Sequence, residues 1–375
     1  LSARVDERRL VGLFRDLCLI NAPALHEAEC VAFARQYLEA MGLEVWEDSA
    51  GAAIGGNANN LVARLEGNRA GAPKVFLSAH FDTVEPTAGL RIVERDGALH
   101  SSGDTILGAD DKAGMAPAIE AVRSLLDSDE PRGDVFLVLT CAEEIGLLGA
   151  GAFDIAGLGV DFGYVLDTGP PVGSFVVQTA THDKLDFEIV GRPAHAGKDP
   201  ECGLNAISVL ADAVSGLTIG RVSPETTCNL GIVEGGTAVN VVCPSVRVRG
   251  EARSTVLSEL EACVDSMVQG FEAAGRKWGA EVRVDHRRHY DAYTLDPSSP
   301  VVRVAQRAAR SLGMSGDLRK TLGGSDANVF NAKGVPTAVV GTGMEKIHTH
   351  EESVRVSDLV ATAELARQIV LEAGR

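Results

Sequence analysis

The sequence predicts an α/β fold in two parts: a larger three-layer domain built on a mixed sheet, and an inserted α+β domain of ferredoxin-like βαββαβ order. Three observations predict it. Over the first 180 residues, short apolar runs alternate with segments of helical periodicity, the pattern of a sheet carrying helices on its faces. Near residue 180 the order changes to strand, helix, two strands, helix, strand. After "TLDPSSP" the first pattern resumes, so the larger domain, at 1–180 and 290–375, is interrupted by an insertion at 181–289. A chain of 375 residues is also longer than one hydrophobic core ordinarily supports.

The elements follow in order. Apolar residues recur with helical spacing in "DERRLVGLFRDLCLI" and in "HEAECVAFARQYLEAMG", where Gly42 follows the last apolar position and stops the helix. "NNLVARLEG" and "KVFLSAHFD" read as strands, "DKAGMAPAIEAVRSLLD" as a helix, and "DVFLVLTCAEE" and "FGYVLDTG" as two further strands. The insertion supplies strand "KLDFEIVG", helix "GLNAISVLADAVSG", strands "TTCNLGIVEGG" and "SVRVRGEARS", helix "VLSELEACVDSMVQGFEAAGRKWG" and strand "EVRVDHRRH". That is enough for its own layer of sheet and helices. Helix "VVRVAQRAARSLG", strand "PTAVVGTG" and helix "VSDLVATAELARQIVLEAG" complete the chain.

Hydrophobic residues at 45% and charged ones at 23% fit an ordinary globular protein rather than a disordered one. A net charge of −17 without a Lys/Arg cluster argues against a nucleic-acid partner, which needs phosphate neutralisation. The seven cysteines, at 18, 30, 141, 202, 228, 243 and 263, form no Cys-x-x-Cys pair. Neither a disulfide framework nor a thiolate zinc site is implied, and reduced, mostly buried thiols are expected. No apolar run reaches the ~18 residues of a membrane span, and "LSARVDERRL" lacks the features of a signal peptide. The expectation is a cytoplasmic protein with no membrane partner. The early strands are not followed by a Gly-x-Gly-x-x-Gly or phosphate loop, which disfavours a nucleotide-binding enzyme.

In open α/β sheets, functional groups gather where loops leave the carboxyl ends of strands. "KVFLSAHFD" ends with His80 and Asp82, "DVFLVLT" runs into Glu143 and Glu144, "FGYVL" stops at Asp167, and "TAVVGTG" leads to His348. The loop "ILGADDKAG" offers Asp110 and Asp111 just before a helix. His80 and Asp82 are two apart on a strand, so they share a face and Asp82 can orient the His80 ring. Each feature alone has an ordinary explanation: a helix first turn for Glu143 and Glu144, N-capping for Asp110 and Asp111, a strand-end histidine bonded to backbone for His80. Four separated segments converging on one sheet edge favour a metal site instead. Imidazole nitrogen and carboxylate oxygen suit Zn²⁺, and also Co²⁺ or Mn²⁺. More carboxylates than one ion needs suggest two ions sharing a carboxylate and a water whose pKa falls toward ~7.

The segments "SAHFDTVEP", "LGADDKAG", "AEEIGLLGA", "YVLDTG", "GRPAHAG", "GGTAVN", "GGSDAN" and "IHTHEE", in this order, resemble the family of dinuclear zinc peptidases and deacylases that includes peptidase T, glutamate carboxypeptidase and aminoacylase. The chain looks most like the peptidase T-like branch, through "ILGADDKAG". The resemblance implies that Asp110 bridges two Zn²⁺ ions, with Glu144 and His348 completing one site and His80 and Asp167 the other. It implies that Asp82 orients His80 and that Glu143 is the general base, taking a proton from the bridging water and passing it to the leaving amine. The preference for Asp110 over Asp111 and for Glu144 over Glu143 rests on the resemblance, because spacing does not distinguish them. It also makes His348, four residues before Glu352, the ligand and leaves His350 in solvent.

The insertion resembles the family's lid, which in dimeric members forms the subunit contact, so a homodimer is expected. His195 in "RPAHAGKDP" matches a donor to the oxyanion, against the plain reading of a loop histidine. Asn240 and Arg253 match positions that contact substrate carboxylate or carbonyl groups; an ordinary strand-surface arginine is the alternative for the second. Gly324 and Ser325 are expected beside substrate, with Gly323 and Gly324 allowing close backbone approach or a tight turn. One departure stands out: Leu322 precedes "GGSD" where tripeptidases of this type carry Arg, which argues against strict tripeptide specificity. The expected activity is a two-zinc exopeptidase acting on small peptides. An N-acyl amino acid deacylase or a carboxypeptidase with the same centre is the alternative. A non-catalytic binding protein on this fold would lack a ligand or the base, and every such position is filled.

Overall fold

Four strands, Val135–Thr140, Val75–His80, Phe162–Thr168 and Thr337–Gly341, lie side by side and run parallel at the centre of an eight-stranded sheet. The computed structural model describes residues 5–126 and 128–375; Asp127, which closes the predicted helix "DKAGMAPAIEAVRSLLD", lies outside them. Every residue of Val75–His80, Val135–Thr140 and Thr337–Gly341 is buried, as expected of parallel strands covered on both faces. Leu61–Leu65 and then Glu44–Glu47 extend one side by antiparallel pairing, and Phe175–Gln178 with Leu318–Lys320 extends the other. The sheet is therefore mixed, as the sequence predicts.

Two groups of helices pack against it. Glu7–Leu19, Ala109–Leu126, Pro300–Ser311 and Val356–Ala373 contact one another, as do Ala50–Ile54, Leu148–Ala152 and Asp326–Ala332. Helix Ala109–Leu126 is buried almost all round, so the Glu120 carboxylate it carries must be paired. Arg9 supplies the partner through Nε at 2.7 Å and Nη2 at 2.6 Å. Asp6 caps the first helix by accepting the Arg9 N–H. A small three-stranded sheet of Ile92–Arg95, Ala98–Ser101 and Ser353–Arg355 was not foreseen. Its hairpin turns on Asp96 and Gly97, both at positive φ.

The chain divides into two compact units, the first comprising residues 1–177, 293–320 and 325–375, the second Gln178–Ala292 with Thr321–Gly324. In the second unit the long antiparallel strands run in the order Thr226–Gly235, Ser245–Ser254, Thr181–Val190, Glu281–Tyr290, with the two-residue strand Gly220–Arg221 at one edge. Thr181–Val190 buries Leu185, Phe187 and Ile189 at alternate positions, the two-residue period of a sheet with one covered face. Helices Ala206–Ser215 and Leu257–Trp278 cover that face, and Phe271 of the longer helix stacks on Phe187 with ring centres 3.8 Å apart. Each such fully buried ring contributes about 1.5–3 kcal/mol of hydrophobic stabilisation.

Candidate metal centre

His80 is the last residue of its strand and is 2% exposed. Its Nδ1 lies 2.9 Å from the Asp82 carbonyl oxygen and 3.4 Å from Asp82 Oδ1, while Nε2 lies 3.2 Å from Asp110 Oδ1. With Nδ1–H donated toward Asp82, the Nε2 lone pair faces Asp110, the arrangement that orients a metal-binding imidazole. On the other side His348 Nε2 lies 3.1 Å from Asp110 Oδ2 and 3.1 Å from Glu144 Oε1. Single donor atoms of His80, Asp110 and Asp167 fall within 4.8 Å of one another, and so do those of Asp110, Glu144 and His348. Asp110 belongs to both trios, presenting one oxygen to each histidine.

The backbone explains how two adjacent aspartates take different directions. Asp110 and Asp111 have non-helical dihedrals, with ψ of 105° and 37°, at the start of Ala109–Leu126. Asp111 turns back beneath the sheet edge, where its Oδ2 accepts the His80 N–H at 3.3 Å and its Oδ1 is buried without a partner. Neither aspartate serves as a simple helix cap. At Gly114 a Cβ would sit 1.9 Å from the Leu166 carbonyl oxygen and 2.5 Å from Asp111 Oδ1. Only glycine lets this helix approach the strand that carries Asp167.

The adjacent glutamates are not in a helix first turn either, since the next helix begins at Leu148. They lie in a tight turn in which the Gly146 and Leu147 N–H groups donate to the Glu143 carbonyl. The Glu143 and Glu144 N–H groups donate to Asp82 Oδ1 and Oδ2 at 2.9 and 3.0 Å. Asp82 thus holds the His80 ring and both glutamates together. Ala142 and His348, at φ of 52° and 62°, adopt the left-handed conformation that non-glycine residues enter mainly where surrounding structure demands it.

Electrostatics distinguish the members. Burial pushes the Asp167 carboxyl well above its ordinary range, reinforced by Asp110 and Asp111. Burial does the same to Asp111 and to Glu143, where Asp326 and Glu144 add to it against the pull of His80. Burial also disfavours the Asp110 anion, but hydrogen bonds from His348 and His80 overcome it and hold that carboxyl low. Burial opposes a charged His80 too, yet Asp110 and Asp82 raise it, and Asp110 and Glu144 raise His348 to about 10. Several carboxylates crowded in a low-dielectric pocket favour a bound cation, which relieves both their repulsion and their desolvation. The overlapping trios of imidazole nitrogen and carboxylate oxygen fit a zinc-type ion at each end of Asp110.

The other predicted residues are placed as follows. His195 and Asn240 are exposed and lie on adjacent segments of the second unit, where the Ala196 N–H donates to the Asn240 carbonyl at 2.9 Å and His195 bridges Val241. Arg253 is engaged by the Glu251 carboxylate at 3.2 and 3.0 Å, and donates to Tyr290 Oη and the Leu322 carbonyl, each at 3.4 Å. Gly324 and Ser325 also have structural roles. The Ser325 hydroxyl is buried and caps helix Asp326–Ala332 by accepting the Ala327 N–H. The close approach at Gly324 is made by the Tyr290 ring, whose Cζ would lie 2.2 Å from an added Cβ. His350 is exposed.

Three buried carboxylates at this edge were missed. Glu352 accepts the Gly108 N–H at 2.6 Å and the Asp110 N–H at 3.0 Å, and burial pushes it up to about 7. Glu27 accepts the Ala142 N–H at 2.9 Å, just before the glutamate pair. Asp326, next to Ser325 in "GGSDAN", receives the Thr140 hydroxyl and is raised to about 6 by burial. Asp326 and Glu352 carried a signal in the sequence, each within a motif whose other residues drew the attention.

A mixed α/β sheet with two overlapping His/carboxylate trios at the carboxyl edge of its parallel strands, in a chain that also carries a ferredoxin-like unit, defines a class of metal-dependent hydrolases. The chain belongs to peptidase family M20/M25/M40, whose family model matches residues 76–372, and is a peptidase. The crystal structure of aminopeptidase PepT from Bacillus cereus ATCC 10987 is 38% identical with a TM-score of 0.88, covering 99% of this chain and 100% of that one. A tripeptidase from Staphylococcus aureus subsp. aureus Mu50 is 34% identical with a TM-score of 0.93, covering 99% of each chain. YqjE of Bacillus subtilis strain 168, itself uncharacterized, is 37% identical over 371 residues, covering 99% of this chain and 100% of that one. Within the family the chain falls in the peptidase T-like branch. No helix among the described residues is long and apolar enough to cross a membrane.

Proposed function

We propose that this peptidase is a two-metal exopeptidase that removes the amino-terminal residue of small peptides. The observation that carries the reading is the position of Asp110, with Oδ1 facing His80 and Oδ2 facing His348. His80, Asp110 and Asp167 would hold one Zn²⁺, and Asp110, Glu144 and His348 the other, with Co²⁺ or Mn²⁺ as possible substitutes. Such an ion pair, when bound, supplies polarisation of the scissile carbonyl and a lowered pKa for an attacking water. Glu143 stands outside both trios, and its raised basicity suits a group that takes the water's proton and delivers it to the leaving amine nitrogen. Asp82 keeps that base and its ligand neighbour in fixed relation. His195 is the proposed donor to the developing oxyanion, and Asn240 and Arg253 the proposed substrate contacts. The unit Gln178–Ala292 is the proposed lid and homodimer contact. The amino-terminal direction of attack is supported by the names of the relatives, an aminopeptidase and a tripeptidase.

Glu143→Gln tests the chemistry. It should retain about two ions per chain and lose roughly 10²–10⁴-fold in turnover; normal turnover in this variant would remove the base assignment. A panel of di- and tripeptides beside N-acetyl amino acids, with and without chelator, tests the substrate class. Hydrolysis confined to the N-acetyl compounds would replace the aminopeptidase reading with a deacylase.

A further inference from the structure

The second unit contains a cavity of about 340 Å³ that none of the residues assigned above lines. Its floor holds Cys228, on strand Thr226–Gly235, and Cys263, on helix Leu257–Trp278, both buried and both free thiols. Val222, Ala262 and Ser266 at its walls are exposed, so the cavity opens to solvent. Both thiols line this one cavity, the strand and helix that carry them are in contact, and the Cys228 S–H donates to the Thr218 carbonyl oxygen at 3.2 Å. A third wall is acidic: the Glu259 carboxylate accepts the Ser223 and Thr226 hydroxyls.

We propose that Cys228 and Cys263 form a reactive dithiol that takes a small, neutral disulfide into this cavity and closes to an intramolecular disulfide. In the first step the Cys228 thiolate attacks one sulfur of the small disulfide, forming a mixed disulfide and expelling one thiolate, which takes up the proton Cys228 has released. In the second, Cys263 loses its proton and attacks the Cys228 sulfur, releasing the second small thiolate, which takes up that proton. The protein dithiol is oxidised by two electrons and the small disulfide is reduced to two thiols. The order follows from the pair's asymmetry. The neighbouring Cys263 lowers the Cys228 thiol to about 7, while Cys228 and burial raise that of Cys263, so Cys228 is the attacking group. The negative wall at Glu259 disfavours anionic disulfides.

The test uses the metal-loaded full chain carrying Cys202→Ser, because Cys202 is the exposed cysteine, treated with 2-hydroxyethyl disulfide and mapped without reduction. The expected product is a Cys228–Cys263 cross-linked peptide, with loss of two hydrogens that dithiothreitol restores. Cys228 should be consumed at least roughly tenfold faster than buried Cys18. Adding Cys263→Ser should stop the reaction at a mixed disulfide on Cys228. Two results in the parent protein would overturn the proposal: Cys228 reacting no faster than Cys18, or a lasting mixed disulfide beside a free Cys263.

Discussion

Two regions of the molecule concentrate charge in opposite ways. At the carboxyl edge of the parallel strands, Asp110, Glu144, Asp167, His80 and His348 converge on one another, largely buried, with acceptor atoms facing acceptor atoms. On the outer face of the second unit's sheet each carboxylate instead meets an arginine: Glu188 lies between Arg247 and Arg283, and Asp186 pairs with Arg287. Both regions gather carboxylates, but only the ladder gives them arginines. The exposed ladder is complete in itself, and pairs of that kind contribute little to stability. The buried cluster calls for something the chain does not supply, which is why it, and not the ladder, is the functional candidate.

The contrast can be broken from its centre outward. Replacing Asp110 with Ala removes the one ligand common to both trios, and metal analysis should find both ions lost together with hydrolysis. Retention of one ion would show that the trios are independent. Asp82→Asn leaves the ligands in place but weakens their support. A drop of roughly 10–100-fold in metal affinity is expected, readable by competition with a chelating dye. Phe271→Ala attacks the second unit's core and should cost about 3–5 kcal/mol in denaturant unfolding, while metal content stays unchanged if the centre belongs to the first unit alone.

A smaller effect concerns the chelator-treated protein. His348 is raised from an ordinary 6.5 to about 10, so the metal-free folded state binds a proton that the unfolded chain releases. Its stabilising contribution is fully present below pH 6.5 and is lost as pH rises through about 10. Thermal midpoints of the chelated protein should fall across that window, and His348→Gln should flatten the slope. The least effect is expected at the ladder, where Glu188→Gln should leave the thermal midpoint and its salt dependence as they were.

Much of the centre was legible because its ligands sit at strand ends, where hydrophobic runs stop on acids and histidines. The choice between Asp110 and Asp111 was not, since spacing is blind to a backbone that turns one carboxylate into the cluster and the other under the His80 amide. The structure separates them by direction, and it separates Glu144 from Glu143 by partnership with His348. Glu27 escaped notice, and Glu352 was noted only as a neighbour of His348, because a carboxylate that anchors backbone N–H groups looks, in sequence, like any surface acid. The Arg95–Ala98 hairpin did carry a signal, since Asp-Gly between short runs marks a two-residue turn. Ser325, a serine ahead of a short helix, also serves as its cap.

Asp82 has a further consequence. The Asp82 carboxylate ties His80 to a turn that begins 61 residues after Asp82, so what lies between can vary in length and content outside Asp110, Asp111 and the helix Ala109–Leu126 that carries them, provided that strand Val135–Thr140 returns to the same neighbour. Insertions at the exposed Asp96–Gly97 turn would leave all of those residues in place, which makes it the natural place to diversify this peptidase while its reactive core stays constant.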